Sequence, residues 1–348
     1  MPKYITEYVK EHYDVVKVRK EVAEKLREFA KEMGLTINDA IAYLLLDMQK
    51  SASNVVDQII SDVADYVLSE YGKEPEKKLL LYPGGDYRIF NELNRIFMAA
   101  KADVFVEVFA GSAWCSMNVS RSKFKVIVCN DIDEDLINFY KMVKERPYDL
   151  VKRLAILPYS RELYEIAIEA LRDKSLDPLT RAALFFYVVR TSFFGMLGGG
   201  FRISKIRNEA RTYTNAVALI PEFSKRLKDV ILECKDFREV IKSYDSEKTL
   251  FYLDPPYVGK GREDYYRHGF TVADLKDLAR LLKSVRGYWV LKIVRDNYEL
   301  IENELPPHEL EEIRTPLHMK KVIEEKRPEF KYLVAYNFKA PRTAPLFR

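Results

Sequence analysis

The alternation of two kinds of pattern beyond residue 78 constrains the fold of this chain more than any other feature. Six short apolar runs have the composition of β-strands, and helical patterns separate most of them. Strands that alternate with helices indicate an α/β sheet whose strands are mostly parallel. The six predicted strands cover residues 103–109, 124–130, 229–234, 249–254, 288–294 and 331–338.

The chain ahead of residue 79 shows different patterns. Residues 1–50 carry one short strand-like alternation and two amphipathic helices, with Gly34 placed to end the first of these. A further helix is predicted from Asn54 to about Tyr71, and the polar, charged run 72–78 follows it.

These patterns predict four parts. Residues 1–50 form a small, mostly helical module, and residues 51–78 form a helix and a linker. Residues 79–137 and 231–348 build the sheet domain, while the mostly helical stretch 138–230 is an insert between strands.

Composition narrows the classes of protein that the chain can belong to. The 348 residues carry a net charge of only +4, so any nucleic-acid contact requires basic residues that are gathered locally. No window approaches the roughly 20 apolar residues of a membrane span, and no secretory signal is visible. The three cysteines and four histidines are spaced neither for a disulfide framework nor for a zinc site. A reducing, cytoplasmic setting fits best.

Polar and small residues follow four successive predicted strands. In an open α/β sheet, ligands bind beyond the carboxyl ends of the strands. The small-residue turn 110–114 follows the first strand, Asp131 the second and Asp236 the third, while Asp254 ends the fourth. Asp131 is placed to accept hydrogen bonds from a ribose. The alternative for both Asp131 and Asp236 is that they cap helices.

Motifs in these positions resemble the adenine-specific amino-methyltransferases typified by the DNA adenine methylase (Dam) family. The resemblance covers roughly residues 79–338. FYLDPPY resembles the catalytic motif of that family, LYPGGDYRIF its amino-terminal motif and FVEVFAGSAW its cofactor loop. CNDIDEDLINFY, CKDF and FFYVVRTSFFGMLGG resemble its acidic motif, its Asp-Phe pair and the opening of its target-recognition insert. The order of these motifs is more specific than DPPY alone.

The resemblance implies the fold and the cofactor. The fold is a Rossmann-like S-adenosylmethionine-dependent methyltransferase sheet with a helical target-recognition insert and a small, mostly helical N-terminal module. The cofactor is S-adenosyl-L-methionine, and no metal is implied. The residues that match the family's cofactor motifs are Tyr82, Pro83, Gly84, Gly85, Glu107, Phe109, Ala110, Gly111, Ser112, Asp131, Ile132, Asp236 and Phe237.

The resemblance assigns catalysis to Asp254, Pro255, Pro256 and Tyr257. The lone pair of an exocyclic adenine amine is delocalised into the ring, so the amine is a poor nucleophile. Asp254 would accept one N–H and the Pro255 carbonyl the other, which stabilises the developing positive charge. Tyr257 would stack on an adenine that has been extruded from the duplex. The alternative for Pro255 and Pro256 is that they only end a strand.

A basic segment of the insert predicts contacts with double-stranded DNA. Arg202, Lys205 and Arg207 lie in GGGFRISKIRNEAR, which contains one acid. A solvated helix face is the alternative. The further DNA-binding candidates are Arg190, Tyr266 and His268, and His268 is alternatively an ordinary loop histidine.

Residues 1–50 resemble a ribbon-helix-helix domain, in which paired strands from two chains enter the major groove. This predicts a homodimer with Lys17 and Arg19 directed at DNA. The alternative is a plain helical accessory segment.

Departures from the family's motifs keep other functions open. The residue after Gly-Gly, usually lysine in the family, is Asp86 here. Val108 and Ala113 replace a usual proline and a usual glycine. At the fifth strand, where the family often has Ser-Asn, this chain has LKIVRDN. The expected function is methylation of adenine N6 in DNA, with or without a cognate restriction nuclease. The alternatives are a DNA-binding regulator with an inactive methyltransferase domain and amino-methylation of RNA or of cytosine N4.

Overall fold

The structure is a computed structural model, which describes residues 54–71, 78–80, 86–195, 199–259, 269–316 and 329–341 together with positions 27, 28, 31 and 34. Its strands are β1 (Val104–Glu107), β2 (Val126–Asn130), β3 (Val230–Glu233), β4 (Thr249–Leu253), β5 (Tyr288–Ile293), β6 (Glu309–Pro316) and β7 (Glu329–Tyr336). Within the described residues these seven strands form one sheet in the order β3-β2-β1-β4-β5-β7-β6.

The first five strands are parallel to one another, and β7 runs antiparallel to both β5 and β6. Strand β1 lies between β2 and β4. The chain therefore winds outward from β1 to β2 and β3 in one direction, then returns to β4 and continues in the other. This reversal creates a crevice beyond the carboxyl ends of β1 and β4, where ligands bind in open α/β sheets.

Helices cover both faces of the sheet. They are α1 (Asn54–Glu70), α2 (Phe90–Ala99), α3 (Trp114–Asn118), α4 (Glu134–Glu145), α5 (Pro147–Ala155), α6 (Arg161–Ala170), α7 (Pro178–Thr191), α8 (Glu209–Ala218), α9 (Ile220–Leu227), α10 (Phe237–Tyr244), α11 (Val272–Leu282) and α12 (Arg295–Glu299). Single-turn 3₁₀ segments occur at Asp86–Arg88, Phe193–Gly195 and Glu302–Glu304.

Local sequence explains where several helices begin. The side chain of Asp177 accepts the backbone N–H groups of residues 179 and 180, and Pro178 occupies the first position of α7, where its missing N–H costs nothing. Thr271 and Asp274 form a capping box at the start of α11, because each side chain accepts the other's backbone N–H.

Alternate residues of the strands pack into two cores. On β4, Leu250 and Tyr252 join the core beneath α2 and the insert helices, while Phe251 and Leu253 join the core beneath α10 and α11. Every residue of β4 is buried. Burial on both faces explains why this strand has a continuous apolar sequence rather than an alternating one.

The predicted fold class is confirmed, and the strands predicted from the six apolar runs are present. Strand β6 was missed because its sequence, ELEEIRTP, is dominated by charged residues that suit an edge strand. The predicted helix after Asn54 is α1, which packs against α5 and α8 of the insert. The predicted start of the insert at residue 138 falls inside α4, whose amphipathic pattern is unbroken.

Residues 1–50, with their predicted ribbon-helix-helix arrangement, lie outside the described residues except at four positions. Positions 27, 28 and 31 are helical, and Gly34 adopts a φ of +66°, the left-handed conformation of a helix-ending glycine. No helix in the described parts of the chain has the length and apolar character needed to cross a membrane.

Candidate active site

Asp254 lies directly beyond the carboxyl end of β4, next to the reversal in strand order. The Tyr257 hydroxyl donates a hydrogen bond of 3.1 Å to Asp254 Oδ1. Pro255 is buried, whereas Pro256 and Tyr257 are half-buried. Because proline has no N–H to donate, the two prolines end the strand and turn the chain across the crevice. All four residues of the predicted catalytic motif are thus brought to the mouth of the site.

A buried asparagine holds the loop that follows this motif. The side-chain amide of Asn297 donates to the Val258 carbonyl at 2.7 Å and accepts from the Val258 N–H at 2.9 Å. Asn297 lies on α12 and is 1% exposed. This pair of bonds ties the loop after β4 to the element after β5, so the orientation of the motif depends on two neighbouring strands.

A fully buried lysine lies beside Asp254. Lys292 on β5 is 0% exposed, and its Nζ is 2.6 Å from Asp254 Oδ2. The same ammonium group donates to Asp86 Oδ1, and the second oxygen of Asp86 accepts the Tyr252 hydroxyl at 2.7 Å. Nζ also lies 4.8 Å from the centre of the Tyr332 ring. Two carboxylates therefore share one ammonium at the base of the crevice.

Burial and neighbouring charges set the protonation of this cluster. Burial raises the pKa of Asp254 to about 7, although the ammonium of Lys292 opposes that rise. Burial alone would lower the pKa of Lys292, but Asp254 and Asp86 raise it well above its ordinary value. Lys292 is consequently charged at neutral pH, and its ammonium favours the charged form of Asp254, which burial disfavours.

The loop after β1 turns tightly against the end of β2. Gly111 and Ala113 have φ values of +47° and +51°, and Ala113 is the non-glycine residue with positive φ within the described residues. Glycine adopts this conformation without the strain that a Cβ brings, so the turn strains the backbone at Ala113, where the family usually has glycine. The Gly111 N–H donates to Asp131 Oδ2 at 3.0 Å, and the Tyr140 hydroxyl donates to the Gly111 carbonyl at 2.7 Å.

Glu107, a predicted cofactor residue, lies under this loop. It is 2% exposed and accepts the backbone N–H groups of Cys115 at 3.3 Å and Ser116 at 2.7 Å. Burial raises its pKa to about 8. In this structure Glu107 orients the first turn of α3 and, through it, the loop that faces the crevice.

The end of β2 shows which acid caps the next helix. Asp133 caps α4 by accepting the N–H groups of residues 135 and 136. Asp131 instead accepts from Gly111 and, through Oδ1 at 3.0 Å, from the Asp133 N–H. Asp131 thus joins the ends of β1 and β2 at the crevice, and the side chain of Ile132 next to it is 47% exposed.

Asp236 and Phe237 lie at the start of α10. Asp236 caps this helix through the Arg238 N–H at 2.8 Å, which is the alternative that its sequence position left open. The Phe237 ring packs against Phe109 and Phe270 with centroid distances of 5.7 and 5.9 Å. The guanidinium of Arg238 lies 4.2 Å from the Phe237 ring centre on another side. These aromatic rings form an apolar wall at the carboxyl edge of the sheet.

The basic residues of the insert differ in their surroundings. Lys205 and Arg207 are exposed, whereas Arg202 is paired with Glu209 at 2.9 Å. Arg190 is 1% exposed and donates to the carbonyls of Lys78 and Thr212 at 3.4 and 3.1 Å. The structure therefore corrects the prediction that Arg190 contacts DNA, because its side chain packs the insert from within.

Several predicted site residues lie outside the described residues. They are Lys17, Arg19, Tyr82, Pro83, Gly84, Gly85, Tyr266 and His268.

Sequence reasoning missed the supporting residues Lys292, Asn130 and Asn297. Lysine is almost never fully buried unless it is paired, so a lysine inside the apolar run YWVLKIV was the available signal. Asn130 links three strand ends, since it donates to the carbonyls of Val108 and Lys235 and accepts from the Lys235 N–H. No local pattern distinguishes this asparagine from a turn residue.

Comparison with known proteins agrees with this geometry. Residues 82–318 match the family of D12 class N6 adenine-specific DNA methyltransferases. The DNA adenine methylase of Escherichia coli (strain K12) is 25% identical over 221 residues, which cover 60% of this chain and 76% of that protein. The DNA adenine methylase of Vibrio cholerae serotype O1 (strain ATCC 39541 / Classical Ogawa 395 / O395) is 26% identical over 230 residues, which cover 62% of this chain and 80% of that protein.

A third relative is similar to the same extent. The Type II methyltransferase M.MjaIII of Methanocaldococcus jannaschii is 25% identical over 237 residues, which cover 60% of this chain and 80% of that protein. The family match spans well over half of the chain and includes β1 to β5, the insert and the Asp254 motif. The chain belongs to the D12 class of N6 adenine-specific DNA methyltransferases.

Proposed function

We propose that this adenine-N6 DNA methyltransferase takes its methyl group from S-adenosylmethionine and acts on an adenine extruded from double-stranded DNA. The observation that carries the proposal is the position of Asp254, whose carboxylate lies at the tip of β4 beside the reversal in strand order. A target amine and a cofactor that meet in this crevice would both lie within reach of that carboxylate.

The residues at the crevice suit S-adenosylmethionine. Phe109 is partly exposed beside the buried Phe237 ring and offers an apolar surface for a nucleobase, and the turn at Gly111 leaves the backbone open to close approach. A carboxylate has about four acceptor sites, so Asp131 can hold its two backbone N–H groups and also accept ribose hydroxyls. When bound, the cofactor supplies an electrophilic methyl group on a sulfonium.

The chain's own residues would activate the amine. Asp254 would accept one amine N–H and the Pro255 carbonyl the other, so that the nitrogen lone pair is directed away from both. Proline fixes the backbone angle φ of Pro255 near −65°, and the following Pro256 restricts its ψ to the extended region, so the direction of that carbonyl is narrowly defined. Tyr257 would stack on the extruded base while its hydroxyl holds Asp254, as it does here at 3.1 Å.

The loop 203–207 has the character of a DNA-contacting surface. Lys205 and Arg207 are exposed there, and the side chains of Ile203 and Ile206 are 70% and 90% exposed. Basic residues neutralise phosphates, and exposed apolar residues among them suit insertion into a groove. The loop begins directly after Arg202, whose N–H donates to the Thr191 carbonyl, and it ends at Asn208, which caps α8.

Replacing Lys205 and Arg207 together by Ala should weaken DNA binding and flatten its dependence on salt. Each lost phosphate contact reduces the slope of log affinity against log salt concentration by about 0.9, so we expect a change of about 2. Fluorescence anisotropy with a DNA duplex over a salt series measures this slope. Cofactor binding should stay unchanged, because the loop lies outside the strand ends.

A matched control variant removes two positive charges from the opposite edge of the sheet. Lys125 and Lys228 are exposed and lie next to the amino ends of β2 and β3, at the opposite edge of the sheet. Replacing both by Ala should leave the salt slope unaltered. Equal slopes for the wild type and the Lys205/Arg207 variant would remove this loop from the DNA surface.

Dimerisation through residues 1–50 stays a prediction from the sequence. A single strand leaves half of its backbone groups unpaired, which a second copy of the same strand would satisfy. We expect light scattering to find a dimer for the full chain and a monomer once residues 1–50 are removed. A full chain that is monomeric at micromolar concentration would contradict the proposal. The cytoplasmic location and a cognate restriction nuclease also remain predictions.

A further inference from the structure

A departure from the family's motifs and a buried lysine meet at one place in the structure. Asp86 occupies the position where the family usually has lysine, and Lys292 lies on β5 just ahead of the region where Ser-Asn is frequent. The two side chains are hydrogen-bonded to each other beneath the crevice. The acid at one position and the lysine at the other are thus parts of a single arrangement.

The burial of Lys292 indicates that its positive charge has a function. A buried ammonium is costly unless it is paired and hydrogen-bonded, and an apolar residue at this position would join the core at lower cost. Lys292 is nevertheless 0% exposed in a strand whose other residues are apolar or aromatic. Its partners are Asp86, which is 7% exposed at the side chain, and Asp254, which is 18% exposed and reaches the crevice.

The pair is anchored on rigid elements. Asp86 is held by the Tyr252 hydroxyl from β4 at 2.7 Å and by the Cys115 thiol from α3 at 3.6 Å. Lys292 extends from the middle of the sheet and makes its contact with Asp254 through Oδ2 at 2.6 Å. With Oδ2 held, Oδ1 of Asp254 is the oxygen that remains beside Tyr257 and the crevice.

We infer that Lys292 is a positioning residue for Asp254, and that Asp86 is the counter-carboxylate that allows this ammonium to be buried on β5. This inference rests on the proposed role of Asp254 as the acceptor of the target amine. Lys292 favours the charged form of the carboxylate and holds one of its oxygens, so that the other faces the amine.

Other charged and titratable groups surround Asp86, Lys292 and Asp254. They lie on the elements packed around these three side chains, and they are Lys78, Arg88, Glu107, Cys115, Tyr252, Tyr257 and Tyr332. All of them are retained in the variants below, so differences between variants report Asp86 and Lys292.

A carbon-13 NMR titration of protein labelled at the aspartate carboxyl groups measures the inference without requiring catalysis. The Asp254 signal is identified by its loss in Asp254→Asn, and in the wild type we expect its midpoint near a pKa of about 7. In Asp86→Asn the midpoint should fall, because a negative neighbour is removed. In the double variant Asp86→Asn/Lys292→Met it should rise by about one pH unit or more, because the ammonium is lost.

The double variant leaves no unpaired buried charge from the Asp86–Lys292 pair, so it tests the inference in a protein that can fold. The Asp254 midpoint should fall in Asp86→Asn and rise in the double variant if the charges of Asp86 and Lys292 act on Asp254. A purely structural role of these residues would not produce opposite shifts. A midpoint that is the same in the wild type and the double variant would overturn the inference.

Single-turnover methyl transfer in an exchanged variant tests the positioning itself. At pH 7, Lys292→Ser should lose about 100-fold, because Asp254 then has no cation to hold it. Adding Asp86→Lys to Lys292→Ser places an ammonium at position 86, close to Asp254, and should recover at least about tenfold of that loss. A double variant no faster than Lys292→Ser would contradict the inference. A wild type that transfers no methyl group would instead contradict the proposed function, while the titration would still decide the role of Lys292.

Discussion

Asp254→Ala is expected to reduce the single-turnover rate of methyl transfer by about 100- to 1000-fold, the usual cost of removing one preorganised group that stabilises developing charge. Binding of S-adenosylmethionine and of DNA should change little, since the proposed contact of Asp254 is with the target amine. The fold should also tolerate the change. Lys292 keeps Asp86 as its partner, so the variant leaves no unpaired buried ammonium.

Asp254→Asn separates charge from orientation. It keeps the size of the side chain and one acceptor oxygen but removes the negative charge. We expect its rate to lie between those of the wild type and Asp254→Ala, and nearer to Ala, because the charge on the amine develops during the reaction. Asp296→Ala, which removes an exposed acid from α12 beyond the neighbouring strand β5, is the matched control and should keep the full rate. A wild-type rate in Asp254→Ala would remove Asp254 from catalysis.

Arg181→Ala is expected to lower the free energy of unfolding by about 3–5 kcal/mol, the range for removing one member of a buried ion pair. Arg181 on α7 donates to both oxygens of Asp135 on α4, and one of these bonds measures 3.1 Å. It also donates to the carbonyls of Asp173 and Leu171 at 2.9 and 3.2 Å. The side chain of Asp135 is only 4% exposed, so its carboxylate would lose both bonds from the guanidinium at a place that water hardly reaches.

Urea denaturation measures this difference, and Arg172→Ala provides the control. Arg172 pairs with Glu169 one turn away, but both side chains are about 70% exposed, and such pairs contribute about 0.5 kcal/mol or less. A loss of under about 1 kcal/mol in Arg181→Ala would show that the α4–α7 packing does not depend on this pair.

Sequence patterns predicted the parts of the fold that depend on burial. The continuous apolar run of β4 and the acid at its end follow from a strand that is covered on both faces and opens at one edge. The edge strand β6 lacks that signal, because water can solvate its exposed side and charged residues are tolerated there. Its pairing with β7 is a long-range contact that no local window contains.

In the candidate site, the motif residues could be predicted from the sequence and their partners could not. Its motif residues could be placed because each follows a predicted strand, and parallel strands bring their carboxyl ends together. The partners of those residues could not be placed. Lys292 meets Asp86 across 206 positions of sequence, and only the sheet order brings β5 beside β4. Arg190 and Lys205 both look like basic residues of an insert, and tertiary packing alone buries the first and exposes the second.

The most direct test of adenine-N6 methylation is to incubate the protein with duplex DNA of mixed sequence and S-adenosylmethionine carrying a labelled methyl group, then to digest the DNA and identify the labelled nucleoside by mass spectrometry. We expect labelled N6-methyladenine with the wild type and a strongly reduced amount with Asp254→Ala. Labelled 4-methylcytosine, or a wild type that binds DNA and leaves every base unlabelled, would contradict it.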